Sequence, residues 1–350
     1  MIVQIGPYPP PIGGVSMHIK RMKERLDSNK IQNEVWDTSR VKKNIHNIKN
    51  IRANFFFLPF FVMNKRKSIF HYHIPGILIK AYVGFINNIP NIKKNKKIIT
   101  IHGDCVNLLK KKRKLLVNIL NSFDAIICVK NGDKDFLLKN KIKSKIFEIP
   151  AFLPPIIDKK EKEKISQNIW RFINNHSPII CANACEIAFY NGEDLYGIDL
   201  CIDVCRKLSE NYQKIGFVFC LPEIGNYRYL NDLKKRIKKY NISENFIFCH
   251  ENAEFYTILK KSDLFVRPTN KDGDAVSVRE ALYFNVQTVV SNAVPRPYGS
   301  IIFESRNLND FFKKVDNAIK NKKENRKSIQ VDDNFIKINN IYDELLKDFF

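Results

Sequence analysis

Apolar residues in this chain come in short continuous runs, each followed by a loop and an amphipathic stretch, and the alternation is played out twice along the sequence. Residues 2–5 read as a buried strand, GPYPPPIGGV as a glycine- and proline-rich loop, and Val15, Ile19, Met22 and Leu26 as one face of a helix. A strand, such a loop and a helix make the first unit of a parallel α/β sheet. The same pattern predicts strands over 33–37, 69–74, 98–101, 125–129 and 146–149, about six in this half, with helical segments over 45–63 and 108–120. AFLPP at 151–155 and the charged run 158–164 read as an interdomain linker. The second half restarts the alternation. Strands are expected near 179–182, 216–221, 246–249, 264–266 and 288–291, and helices near 200–208, 229–240, 255–260, 276–284 and 308–319, with a last helix over 335–350. Two such series predict an α/β fold of two Rossmann-like domains.

Composition keeps this picture. A chain of 350 residues that is 44% hydrophobic can build two cores of ordinary size. The longest apolar run, 55–63, has nine residues and is far too short to span a membrane. The start MIVQIGPYPPP lacks the regions of a signal peptide, so a cytoplasmic protein is expected. Eight cysteines without tight pairing fit reduced thiols, and Cys201 and Cys205, on one helix face without a histidine partner, read as core.

Charge changes more. Residues 1–150 hold 29 Lys and Arg against 9 Asp and Glu, a net +20, whereas residues 151–350 hold 30 against 27, a net +3. The first half is therefore expected to meet an anionic surface. No nucleic-acid motif is present, which favours an anionic membrane over nucleic acid. The five consecutive bases Lys110–Lys114 within LLKKKRKLLVNIL suit a docking helix or a solvated amphipathic one. FFFLPFFVM, flanked by Lys42, Lys43, Lys49 and Arg52 and by Lys65, Arg66 and Lys67, suits a headgroup boundary or a packed core element.

Chemistry concentrates in RPTNKDGDAVSVREAL, residues 267–282. An apolar strand ends there, the chain turns through Gly273, and a helix begins near Val276. Unpaired N–H groups and the positive dipole end at Val276–Val278 can hold an anion such as a diphosphate. Asp272 and Glu280, eight positions apart, flank that place. Like charges repel, so these carboxylates suit sugar hydroxyls, and a phosphate between two polyol ends is a nucleotide sugar. In the first half, Gly13 and Gly14 could let backbone approach a phosphate or merely close a turn. His102 ends a strand in IHGD, where parallel sheets place ligand residues or a hinge contact, and Asp104 could orient an acceptor hydroxyl. His71 and His73 share a strand face, but no third ligand is evident beside them, so they read as ordinary strand histidines.

The acid-x7-acid string resembles the motif of retaining glycosyltransferases of the GT-B fold, family 4. DGDAVSVREAL followed by VVSNAVPRP is similar to a bacterial surface-polysaccharide subset, PPPIGGVSMH resembles the family's amino-terminal loop, and the order of motifs along nearly the whole chain matches. The resemblance implies domains over 1–155 (acceptor and membrane side) and 156–330 (nucleotide-sugar side), facing a cleft, with 331–350 returning to the first. It implies that Asp272, shorter than the commoner Glu, holds the transferred sugar. Amides of Gly273, Asp274, Ala275, Val276, Ser277 and Val278 would hold the diphosphate, and Glu280 the ribose. Gly13 and Gly14 would face the donor diphosphate, His102 the donor sugar, and His18 and Asp104 the acceptor. No metal or other cofactor is implied. The family usually places an Arg and a Lys before the helix that follows the first strand of the second domain. YNGEDLYGID has Asn191 and Tyr196 there, leaving Arg267, Lys271, Arg279 and Arg296 as candidates for the phosphate charge. The implied activity is sugar transfer to a lipid-linked glycan acceptor. A GT-B sugar epimerase and a non-catalytic membrane-associated homologue stand as alternatives.

Overall fold

The structure, a computed structural model, describes residues 1–74, 76–89, 95–103, 105, 113–272, 276–321 and 333–349. Asp104, Lys110–Lys112 and Gly273–Ala275 lie outside the described residues. The chain divides into two compact α/β units, Met1–Ile156 with Asp333–Phe350, and Ile157–Asp332.

The first unit holds β1 (Ile2–Gly6), β2 (Asn33–Asp37), β3 (Ile48–Asn50), β4 (Ile69–Tyr72), β5 (Lys96–Ile101), β6 (Ala125–Cys128) and β7 (Lys145–Glu148) in one sheet of order β3-β2-β1-β4-β5-β6-β7. Every neighbouring pair is parallel. Parallel sheets are covered on both faces, which is why these strands read as unbroken apolar runs. One face packs Val3, Ile5, Phe70 and Tyr72 against Val83, Leu116 and Leu120. The other packs Ile2, Ile69 and Ile98 against Met22 and Leu26 of the helix Gly14–Ser28, and against Phe335, Ile338, Ile341 and Tyr342 of the helix Asn334–Lys347. Tyr342 reaches the sheet itself, its hydroxyl 2.6 Å from His71 Nδ1.

Residues 45–63 are not one helix. Ile48 is buried and pairs with Val35 as the edge strand β3, a three-residue element too short to show a period. A 3-10 turn, Phe55–Phe57, and a short helix, Leu58–Met63, follow. Pro59 sits in that helix's first turn, the place where a missing N–H does no harm. Leu58 and Val62 point into the core, while Phe56, 83% exposed, and Phe60 point out. The helix Ile77–Asn87 adds exposed Leu78 and Phe85 to this side, and Tyr82 joins the two segments by donating to the Phe56 carbonyl at 2.6 Å. Among the described residues no helix is long and apolar enough to cross a membrane.

The second unit holds β8 (Ile179–Asn183), β11 (Gly216–Cys220), β12 (Phe246–Cys249), β13 (Leu264–Arg267), β14 (Gln287–Ser291) and β15 (Ile301–Phe303) in the parallel order β12-β11-β8-β13-β14-β15. A separate antiparallel hairpin pairs β9 (Phe189–Tyr190) with β10 (Glu193–Asp194). Successive strand residues go to opposite cores: Ile180, Phe217 and Leu264 to one, Ile179, Val218 and Phe265 to the other. The charged run read as linker is folded into this unit. Asp158 caps the helix Lys159–Glu163, and buried Glu161 accepts from the Glu254 backbone N–H at 2.9 Å. All eight cysteines are free, and Cys201 and Cys205 are core residues of the helix Ile198–Ser209.

Candidate functional site

In open parallel sheets, ligands bind beyond the strand carboxyl ends where the strand order reverses. In the second unit that point lies between β8 and β13. Arg267, the last residue of β13, spans it, donating from Nη1 to the Asn183 carbonyl at the end of β8 (2.8 Å). Its other donors turn to Asp272, Nε to Oδ2 at 3.1 Å and Nη2 to Oδ1 at 3.4 Å. Arg296, from the loop after β14, adds Nη1 to Asp272 Oδ2 at 3.2 Å and is held by the Ser291 carbonyl at 2.8 Å. Arg296 is 1% exposed and Asp272 11% at their side chains, so this is a desolvated cluster. Burial pushes the Asp272 carboxyl up, and the two guanidiniums outweigh it, leaving the group below the usual carboxylate range.

The departure in YNGEDLYGID is explained by what stands in its place. Asn191, at φ 52°, and Gly192, at φ 80°, form the two-residue turn of the β9–β10 hairpin, a conformation that suits an Asn-Gly pair. Tyr196 lies half-buried with its ring 4.9 Å from the Arg267 guanidinium, so the position of the missing lysine supports an arginine that comes from another strand. Asp194 accepts the backbone N–H groups of Tyr196, Gly197, Ile198 and Asp199 at 2.9–3.3 Å. The start of the helix Ile198–Ser209 is therefore filled by the protein's own carboxylate. Burial, then the nearby Asp199 charge, raises that group to about 6. Gly197, at φ 66°, cannot be replaced cheaply, because a Cβ there would stand 2.5 Å from the Pro268 carbonyl. Thr269 ties the same two loops by donating to the Leu195 carbonyl at 2.6 Å.

With one helix start capped, the other carries the anion-binding potential. The helix Val276–Tyr283 begins four residues after Asp272, with Val276 and Ser277 partly exposed. Glu280 lies one turn in and is buried. Lys271 is exposed, its ammonium 4.2 Å from the Tyr190 ring, and Arg279 is partly exposed on the helix.

In the first unit the reversal lies between β1 and β4. Gly13 caps the helix Gly14–Ser28 and gives its own N–H to Ser16 Oγ at 2.9 Å. His18, buried in that helix, lies 2.7 Å through Nδ1 from the Ala151 carbonyl. His73, after β4, lies 3.0 Å through Nδ1 from Nε2 of His102, after β5. His18 thus joins His73 and His102, with ring centroids 5.2 Å from each. His71 is directed elsewhere, its nitrogens at 2.6 Å from the Tyr342 hydroxyl and 2.7 Å from Thr100 Oγ1. The third histidine not evident beside the His-x-His strand comes from 55 positions upstream of His73 and the fourth from 29 downstream, a grouping that only the sheet order reveals. Burial holds His18 at about 4 and both His73 and His102 well below their ordinary 6.5.

Residues 187–331 match the family model described as glycosyl transferases group 1. That segment holds Arg267, Asp272, Glu280 and Arg296, so the second unit carries a glycosyltransferase group 1 domain. No curated protein sequence matches the chain. Among solved structures it is similar to Anabaena HepE in complex with UDP and glucose, at 12% identity over 99% of this chain and 100% of that one, TM-score 0.65. It is similar also to an α,α-trehalose-phosphate synthase (UDP-forming) from Burkholderia xenovorans with glucose-6-phosphate, at 11% identity, 98% and 99% coverage, TM-score 0.69. A glycosyltransferase from Rickettsia africae gives 14% identity, 99% and 98% coverage, TM-score 0.66. At such identities the likeness establishes the fold, two Rossmann-like units of the GT-B type.

Proposed function

We propose that this glycosyltransferase moves a sugar, with retention of configuration, from a nucleoside diphosphate to a lipid-linked surface-glycan acceptor, as a family 4 enzyme does. The observation that carries the reading is the buried Arg267–Asp272–Arg296 cluster at the strand carboxyl edge, followed along the chain by the helix Val276–Tyr283 with its buried Glu280. Amides of residues 273–278 bind the diphosphate, Glu280 accepts from the ribose hydroxyls, and Asp272 accepts from the transferred sugar. Arg267 and Arg296 supply the cationic charge that the usual Arg and Lys would give, with Lys271 at the rim. In the first unit Gly13 and Gly14 border the diphosphate, His102 contacts the donor sugar, and His18 and Asp104 serve the acceptor. Transfer is then positioning and electrostatic stabilisation of the leaving diphosphate. The acceptor attacks on the departing phosphate's own face, and a phosphate oxygen takes its proton. No divalent metal is required by this scheme.

The basic first half and the outward Phe56, Phe57, Phe60, Leu78 and Phe85 support docking on the anionic inner face of a membrane. An apolar group of this size with lysines beside it suits a headgroup boundary.

A thermal-shift panel of UDP, GDP, CMP and NAD tests the donor side. UDP comes first because HepE was solved with it. A ligand at 100 times its dissociation constant adds about 2.7 kcal/mol. Glu280→Gln should weaken nucleotide binding about tenfold to a hundredfold, since charge-assisted bonds are worth roughly 1.5 to 3 kcal/mol each. No shift with any nucleoside diphosphate refutes the reading.

A further inference from the structure

We propose that His18, His73 and His102 form a binding site for one divalent transition-metal ion, with zinc the best match, inside the first unit. One ring nitrogen from each residue lies within 4.8 Å of the others. A tetrahedral zinc site with bonds of about 2.0–2.1 Å sets its nitrogens roughly 3.4 Å apart, so small side-chain rotations close the set.

One orphaned atom and one close pair carry the argument. Nε2 of His18 is buried with no hydrogen-bond partner, and buried polar atoms are ordinarily satisfied. Nδ1 of His73 and Nε2 of His102 stand 3.0 Å apart, near the spacing of two ligands on one ion, which would replace the proton now shared between them. Neighbouring His71, by contrast, has both nitrogens engaged. The His18 ring gives its Nδ1 hydrogen to the Ala151 carbonyl at 2.7 Å, which fixes the tautomer that leaves the Nε2 lone pair free. That is the support a metal-ligating histidine usually has: one nitrogen on a backbone acceptor and the other on the ion. Burial also keeps the rings neutral, the form that ligates.

Arg21 and Lys80 lie close enough to oppose a dication. Both are tied down, Arg21 Nη1 on the Leu153 carbonyl at 3.0 Å and Lys80 Nζ on the Ile74 carbonyl at 2.8 Å. Their charge makes the site weaker than a four-ligand structural zinc centre. Three ligands leave one position open. An ion here takes His102 away from the donor sugar, so it competes with transfer instead of taking part in it. The inference uses the transfer reading only for that consequence.

The whole chain, stripped with a chelator, should be titrated with Zn²⁺ by calorimetry and with Co²⁺ by visible absorption. The expected result is one ion per chain and a tetrahedral cobalt spectrum. His73→Asn should cost at least tenfold in affinity, and His46→Asn, at an exposed histidine, should cost none. Absence of binding, or unchanged affinity in folded His73→Asn, overturns the site. Should His73→Asn fail to fold, the wild-type cobalt spectrum decides, an octahedral one overturning the proposal. Titrations of the same metal-free sample with UDP and with GDP separate the two readings. Binding of either nucleotide without zinc binding sinks the metal site alone, and zinc binding without binding of either nucleotide sinks the transfer reading alone.

Discussion

Replacing Asp272 by Asn tests the most unusual part of the site, a carboxylate held between two buried arginines. In the wild type it meets Arg267 at 3.1 Å and Arg296 at 3.2 Å, with all three side chains at most 11% exposed. Asn keeps the shape and one acceptor but removes the charge, leaving two desolvated guanidiniums facing each other. Removing one partner of a buried pair costs about 3 to 5 kcal/mol. A unit of this length moves about 2 to 4 °C per kcal/mol, so its melting temperature should fall by roughly 6 to 20 °C. If the same arginines meet the donor's phosphates, an added diphosphate replaces the lost carboxylate. Pyrophosphate or UDP should then stabilise Asp272→Asn more than the wild type, with a correspondingly tighter affinity, while turnover falls. Differential scanning calorimetry with and without pyrophosphate reads both effects. A variant that melts within about 2 °C of wild type, or equal pyrophosphate shifts in the two proteins, would refute the reasoning.

Three further outcomes are expected. Replacing Phe56, Phe60 and Phe85 by Ser should lower co-sedimentation with anionic vesicles by tenfold or more, at about 1.5 to 3 kcal/mol per fully buried aromatic. Gln at 110–114 should make the residual binding less salt-sensitive; vesicle binding unchanged in both variants removes the membrane from the reading. Turnover should survive EDTA, and complete loss restored by Mg²⁺ would show that Asp272 and Asp274 hold a catalytic ion instead. Acid should destabilise the first unit through His18, whose value falls on folding from 6.5 to about 4. Between those pH values the unfolded chain binds a proton that the folded chain excludes, so stability is fully present above 6.5 and is lost as pH falls towards 4, by about 3 kcal/mol. A urea midpoint that does not fall across that window contradicts the assignment.

The strands were legible because parallel sheets bury both faces and leave continuous apolar runs, as in Ile179–Asn183 and Leu264–Arg267. Ile48–Asn50 was not, since three residues carry no period and the phenylalanines after it suggested a helix. The helix Ile77–Asn87 escaped because its residues are apolar nearly all round. Asp272 and Glu280 are proposed from a spacing within one short stretch of sequence, the loop before the helix Val276–Tyr283 and the helix itself. Arg296, 24 positions beyond Asp272, and the meeting of His18, His73 and His102 depend on which strands become neighbours, and sequence distance conceals that. Asp194 offered a signal that went unused: an acid just before a Gly and an apolar helix is a cap, and a capped helix cannot also receive a diphosphate.

The helix Asn334–Lys347 has a consequence for biosynthesis. It completes the core around Ile2, Ile69 and Ile98, and its Tyr342 anchors His71, yet it is translated after the whole of the second unit. As the polypeptide leaves the ribosome, the first unit must wait with one side of its sheet only partly covered, by Met22 and Leu26 of the helix Gly14–Ser28, while the second, contiguous from Ile157 to Asp332, can close on its own. The part synthesised first is therefore the part finished last, and during that interval an apolar sheet face and a strongly cationic segment are both accessible to chaperones and to membrane.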